Sequence, residues 1–126
     1  MKNYVQYHNA SKQGLLQIDT ADFQIFANKS INHLVGHRVW LISGHGMSSP
    51  KHYQLEYVFR VDDVQPGTPN RARGATGRRF APALALNGLS WFEDFLKHQA
   101  NFSLGVREIA DEHQRELEAL LAAATS

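Results

Sequence analysis

Tyr53-Gln54-Leu55-Glu56-Tyr57-Val58-Phe59-Arg60-Val61 alternates along its whole length. Tyr53, Leu55, Tyr57, Phe59 and Val61 share one face, and Gln54, Glu56, Val58 and Arg60 share the other. A period of two is the signature of a strand with one side against a core. Upstream, residues 38–43 contain Val39-Trp40-Leu41-Ile42, apolar on both faces, which suits a strand covered on both sides. Gly44-His45-Gly46-Met47-Ser48-Ser49-Pro50 is read as the connection between these two strands. Tyr4-Val5-Gln6-Tyr7 and Phe23-Gln24-Ile25-Phe26 add two shorter β-prone stretches, the first ended by turn-forming residues 8–14. Ser30 is placed to cap a short helix reaching Leu34, and Gly36 ends it.

Downstream, residues 65–77 hold Pro66, Gly67, Pro69, Gly74 and Gly77 among arginines and read as the longest irregular segment. Asp62-Asp63 reads as a solvated strand end. Ser90-Trp91-Phe92-Glu93 has the form of a capping box, opening a helix over 91–100 with Trp91, Phe92, Phe95 and Leu96 inward. A second helix is expected from Val106 or Ile109 to Ala123, with Leu117, Leu120 and Leu121 as its apolar stripe. Strands first and helices last indicate one α+β domain over 1–126 with a mainly antiparallel sheet.

The 126 residues are 43% hydrophobic and 20% charged, within the range of a soluble globular domain. No apolar run approaches the roughly 20 residues that span a bilayer, so no membrane partner is expected. The first residues lack the apolar core of a signal peptide. Without cysteine there is no disulfide framework, thiolate zinc site or cysteine nucleophile, which fits a cytoplasmic location. The net charge of +1 hides a segregation. Residues 1–60 carry six basic and three acidic groups, and residues 61–66 two acids. Residues 67–82 carry four arginines and no acid, and residues 83–126 three basic groups against seven acids. A basic body with an acidic end can steer a polyanion to one face.

Most catalytic chemistry finds no footing. His45 stands alone on its loop, His113 and Glu116 form only an i, i+3 pair, and no metal or other cofactor is expected. Gly74-Ala75-Thr76-Gly77-Arg78-Arg79 lacks the Lys-Ser/Thr ending of a phosphate loop. No G-x-S-x-G nucleophile elbow occurs. What remains is aromatic and amide content beside basic residues, the equipment for reading a nucleic-acid base. Such a pocket needs stacking faces, groups that bond a base edge, and cations on the phosphates. The candidates for the base are Tyr7, His8, Asn9, Asn28 and Tyr53, with Trp40 or Trp91 stacking. The candidates for phosphates are Lys12, Lys29, Arg71, Arg73, Arg78 and Arg79. Val39, Leu41, Phe59, Phe92 and Phe95 are assigned to the core.

Three stretches carry a resemblance over most of the chain. They are Tyr4-Val5-Gln6-Tyr7-His8-Asn9 with Lys12 and Gly14, Phe23-x-Ile25-x-x-Asn28-Lys29, and Val35-Gly36-x-x-Val39-Trp40-Leu41-Ile42-x-Gly44. With Asn101-Phe102-x-x-Gly105 before a helix, they resemble an uncharacterised bacterial family that occurs alone or beside HNH nuclease modules. The element order is also similar to the PUA superfamily, which includes the EVE, ASCH, YTH and SRA domains. That resemblance implies a small, curved, barrel-like sheet with a few helices. It also implies a non-catalytic module reading a modified base, in DNA rather than RNA, with a nuclease module or a second copy as protein partner. Residues 66–77 do not match that pattern. Two other readings stand beside it: a small nucleoside- or RNA-directed hydrolase using His8 or His45 as base, and an adaptor docking a partner through the acidic C-terminal helix.

Overall fold

Glu56 breaks the alternation on which the fold depends. The computed structural model describes residues 1–9, 23–45, 52–99 and 106–125, and in it His52–Arg60 forms a strand, β4, beside Arg38–His45, β3. Leu41 faces Tyr57 but its neighbour Ile42 faces Leu55, so Glu56 is an extra residue on β4, a β-bulge. The bulge switches faces. Tyr53 and Leu55 join one core cluster, whereas Tyr57, Phe59 and Val61 join another on the opposite side of the sheet. The single face expected for Tyr53 to Val61 is thereby divided between two layers. On β3 no such break occurs, and Val39, Trp40, Leu41 and Ile42 are all buried, two toward each side.

The remaining elements arrange themselves around this pair. Asn3–Asn9, β1, runs parallel to β3 and pairs on its other edge with the two-residue strand Arg107–Glu108, β8. Gly77–Ala85, β7, pairs antiparallel with β4. The five-stranded sheet has the order β7-β4-β3-β1-β8. A second, three-stranded antiparallel sheet contains Phe23–Ala27, β2, Asn70–Gly74, β6, and Asp63–Gln65, β5, in the order β2-β6-β5. The helices Phe92–His98, α1, and Asp111–Thr125, α2, follow at the end of the chain. The result is the α+β class expected, but the described residues form two open sheets and no closed barrel is found among them.

Each face of the large sheet has its own core. Val5, Trp40, Ile42, Leu55, Val58 and Phe80 meet Phe92, Phe95, Ile109 and Leu117 on the helix side. Tyr4, Val39, Leu41, Tyr57, Phe59 and Val61 meet Ile25 and Ala72 of the small sheet, with Ile31 and Leu34 closing one end. The 3-10 turn Asn32–Leu34 replaces the short helix, its start at Ile31 without a side-chain cap, and Gly36 follows at φ 85°. Among the described residues no helix is long and apolar enough to cross a membrane.

Residues 65–77 are ordered strand and turn rather than irregular loop. Their glycines answer a steric demand, not a need for freedom. A Cβ on Gly74 would collide with the Arg60 carbonyl, and one on Gly77 would lie 2.5 Å from the Val58 carbonyl oxygen. β6 of the small sheet can lie this close to β4, and β7 can pair this closely with β4 within the large sheet, only because those side chains are missing. Asp62 and Asp63 are likewise structural: Asp62 accepts from the Ala75 amide at 2.9 Å, and Asp63 pairs with Arg73 at 2.9 Å. The Ser90 capping box does not form; α1 starts after Trp91 without a side-chain cap.

Candidate nucleic-acid interface

The aromatic residues expected to line a base pocket lie mainly on the helix side of the large sheet. Tyr7 and Tyr53 pack with ring centroids 5.8 Å apart, Tyr53 lies 5.3 Å from Phe92, and Trp91 leans on Phe92 and Phe95. These rings extend the helix-side core. Burial pushes the Tyr7 and Tyr53 hydroxyls above the ordinary tyrosine pKa, and for Tyr7 the neighbouring Tyr53 adds to the effect.

Trp40 is fully buried, so its expected role as a stacking face is corrected to core. The reason is polar as well as apolar. Its indole N–H donates to Asn3 Oδ1 at 2.9 Å, and the same oxygen accepts from Arg38 Nε at 2.6 Å. The Arg38 guanidinium lies 5.0 Å from the Trp40 ring and bonds Glu118 of α2.

The other candidates do not converge on Tyr7 and Trp91. Asn28 and Lys29 are exposed just beyond β2, on the small-sheet side. His8 alternates with Tyr7 along β1 and stands opposite Ser43 in register, half-buried. The Asn9 and His45 side chains and the whole of Lys12 lie outside the described residues. The arginines are divided three ways. Arg78 is exposed and donates to the Ala124 carbonyl on α2 at 2.7 Å. Arg79 sits over Phe23 and Tyr57, 5.5 Å from each ring. Arg71 and Arg73 alone share a surface.

That surface is the outer face of the small sheet, and the alternation of its strands builds it. Ile25, Val64 and Ala72 point inward, so Gln24, Phe26, Asp63, Gln65, Arg71 and Arg73 point outward. In register, Arg71 lies between Phe26 and Gln65, and Arg73 between Gln24 and Asp63. Arg71 donates to Gln65 Oε1, and Arg73 is held by Asp63. Phe26 is 49% exposed, one of only three large apolar side chains so open among the described residues. Asn28 and Lys29 continue from its strand, and the Lys29 carbonyl accepts from Asn70 Nδ2 at 2.9 Å. Phe26, two arginines, two glutamines and Asp63 therefore share this outer face, with Asn28 and Lys29 exposed just beyond the end of β2.

Phe26 was missed as a site residue, although the alternation of Phe23-Gln24-Ile25-Phe26 already sets it opposite to Ile25. The missing information was that β6 carries two arginines alongside it. The chain matches no known family model, no curated protein and no solved structure.

The acidic C-terminal helix proposed as an adaptor has its apolar side already committed. Leu117 is fully buried against the large sheet, with Leu120 and Leu121 beside it.

Proposed function

We propose that the protein is a non-catalytic nucleic-acid-binding module that uses the outer face of its small sheet. Phe26 would stack on a base, Gln24, Gln65 and Asn28 would bond base edges, and Arg71, Arg73 and Lys29 would meet phosphates. The observation that carries this reading is the register of Phe26 opposite Arg71 on a solvent-facing sheet. An exposed aromatic on a sheet, flanked by cations, is a sequence-tolerant stacking platform for single-stranded nucleic acid. A flat face receives a base that is already unstacked, from a single strand or extruded from a duplex. The resemblance to PUA-type readers of modified bases points to the same partner class, with DNA favoured and the base contacted by Phe26 in place of a deep pocket.

The test is titration of labelled single-stranded DNA and RNA, and of duplexes carrying 5-methylcytosine, 6-methyladenine or no modification, at two salt concentrations. Affinity should fall as salt rises, because each neutralised phosphate releases counterions. Phe26→Ala should weaken binding about tenfold to a hundredfold, the range of one base–aromatic stack. Equal and negligible binding to all of these would overturn the reading.

A further inference from the structure

His113, the second residue after the start of α2, is among the few buried polar side chains, only 3% exposed. Its Nε2 lies 3.0 Å from Oδ2 of Asp94, which projects from α1 and is 72% exposed. Its Nδ1 is buried and makes no hydrogen bond among the described residues. Glu112 supplies a second carboxylate, and one donor atom from each of Asp94, Glu112 and His113 lies within 4.8 Å of the others. His98, one helical turn after Asp94, has its ring 5.4 Å from that of His113.

An ion pair alone accounts poorly for this arrangement. An exposed carboxylate pairing with histidine adds little stability on its own. The Asp94 carboxylate accepts, so the imidazole proton sits on Nε2, the nitrogen that faces the carboxylates, and an ion bound there displaces it. The separation also fits. Two ligands of one tetrahedral ion, each about 2.0–2.2 Å from it, lie roughly 3.3 Å apart. Glu112 is exposed and can close the remaining distance by a rotamer change.

We propose that Asp94, Glu112 and His113 form a divalent-metal site of the Zn2+ class that clasps α1 to the start of α2. One imidazole nitrogen with two carboxylates favours first-row transition ions over Mg2+ and Ca2+, which take oxygen ligands. Three protein ligands leave a coordination position for water or for His98. The site lies on the helix layer, on the other side of the large sheet from the proposed nucleic-acid face, and stands independently of it.

The test uses untagged full-length protein with Zn2+, and Co2+ as a spectroscopic probe. Zn2+ should bind at one equivalent and raise Tm. Co2+ should develop visible ligand-field absorption, and the His113 imidazole resonances should shift. Asp94→Asn and Glu112→Gln alter exposed side chains, so both variants should keep the wild-type far-UV circular dichroism. Each should bind Zn2+ at least about tenfold more weakly, the loss expected when even an outer partner of a metal site is disturbed. Mg2+ should compete with neither ion. If Zn2+ leaves Tm and the His113 resonances unchanged, or if the double variant binds Zn2+ as tightly as the wild type, the proposal is overturned and the cluster is a helix–helix ion pair.

Discussion

The helix layer and the small sheet use aromatic side chains in opposite ways. On the helix side Tyr7, Tyr53, Phe92, Trp91 and Phe95 form a continuous chain of ring contacts between about 5 and 6 Å, and the large sheet closes it from below. On the small sheet Phe26 stands almost alone, half open to solvent, with Arg71 across the ladder. The aromatic-rich region is occupied by its own packing, and the aromatic-poor one offers a face. Aromatic abundance in a sequence therefore locates the core, while strand register locates the surface on which a ring can stack.

The strongest way to break this contrast is to remove one ring from each region. Trp40→Ala should cost about 3–5 kcal/mol, since it empties a fully buried site and removes the indole donor from Asn3. For a domain of ordinary marginal stability that is enough to unfold much of the population, read by urea denaturation. Phe26→Ala should change stability by no more than about 0.5 kcal/mol. A comparable loss from both would mean that Phe26 is core.

The interface between the two sheets can be probed by pH. Burial is the main cause that pushes Tyr57 up to about 12, with Glu56 adding and Arg79 opposing, and its hydroxyl donates to the Gln24 carbonyl at 2.6 Å. Above the ordinary tyrosine value of about 10 the unfolded chain releases this proton first. The contribution is therefore complete below about pH 10 and lost as pH rises toward 12. A shift of that size corresponds to about 2–3 kcal/mol. Subtracting the stability profile of Tyr57→Phe from that of the wild type should reveal a decline confined to this window. A flat difference would mean that Tyr57 is open to water.

A smaller effect tests why the sheets lie so close. Gly74→Ala should destabilise by about 1–3 kcal/mol, because its methyl meets the Arg60 carbonyl rather than a side chain that can swing away. Stability within error of the wild type would place β6 farther from β4. Smallest of all is the salt dependence on the outer face. Arg71→Ala should lower the slope of log affinity against log salt by about 0.7, one single-strand phosphate contact. An unchanged slope would leave Arg71 as a partner of Gln65 alone.

Much of the fold was legible locally. The strands around Val5, Ile25 and Leu41 and both helices follow from periodicity, and the burial of β3 on both faces follows from Val39-Trp40-Leu41-Ile42. Two features were not. The bulge at Glu56 is fixed by which β3 residue pairs with which β4 residue, and no pattern within β4 announces it. The glycines and prolines of 65–77 look like loop chemistry because the backbone contacts that require Gly74 and Gly77 come from Arg60 and Val58. Site residues divided along the same line. Arg71 and Arg73 were visible as basic residues, but Arg78 and Arg79 point to other layers, and only the pairing of β2 with β6 brings Phe26 to Arg71. The cluster of Asp94, Glu112 and His113 likewise spans two helices, so a search for ligand spacing along one helix finds only His113 and Glu116.

The most direct measurement is a fluorescence titration of a labelled single-stranded oligonucleotide at low salt against wild type, Phe26→Ala and Arg78→Ala. Arg78 is exposed but belongs to the helix side, bonded to Ala124. The proposed interface predicts binding weakened about tenfold to a hundredfold by Phe26→Ala and left within about twofold by Arg78→Ala. Equal affinity for wild type and Phe26→Ala, with the loss falling on Arg78→Ala, would contradict it.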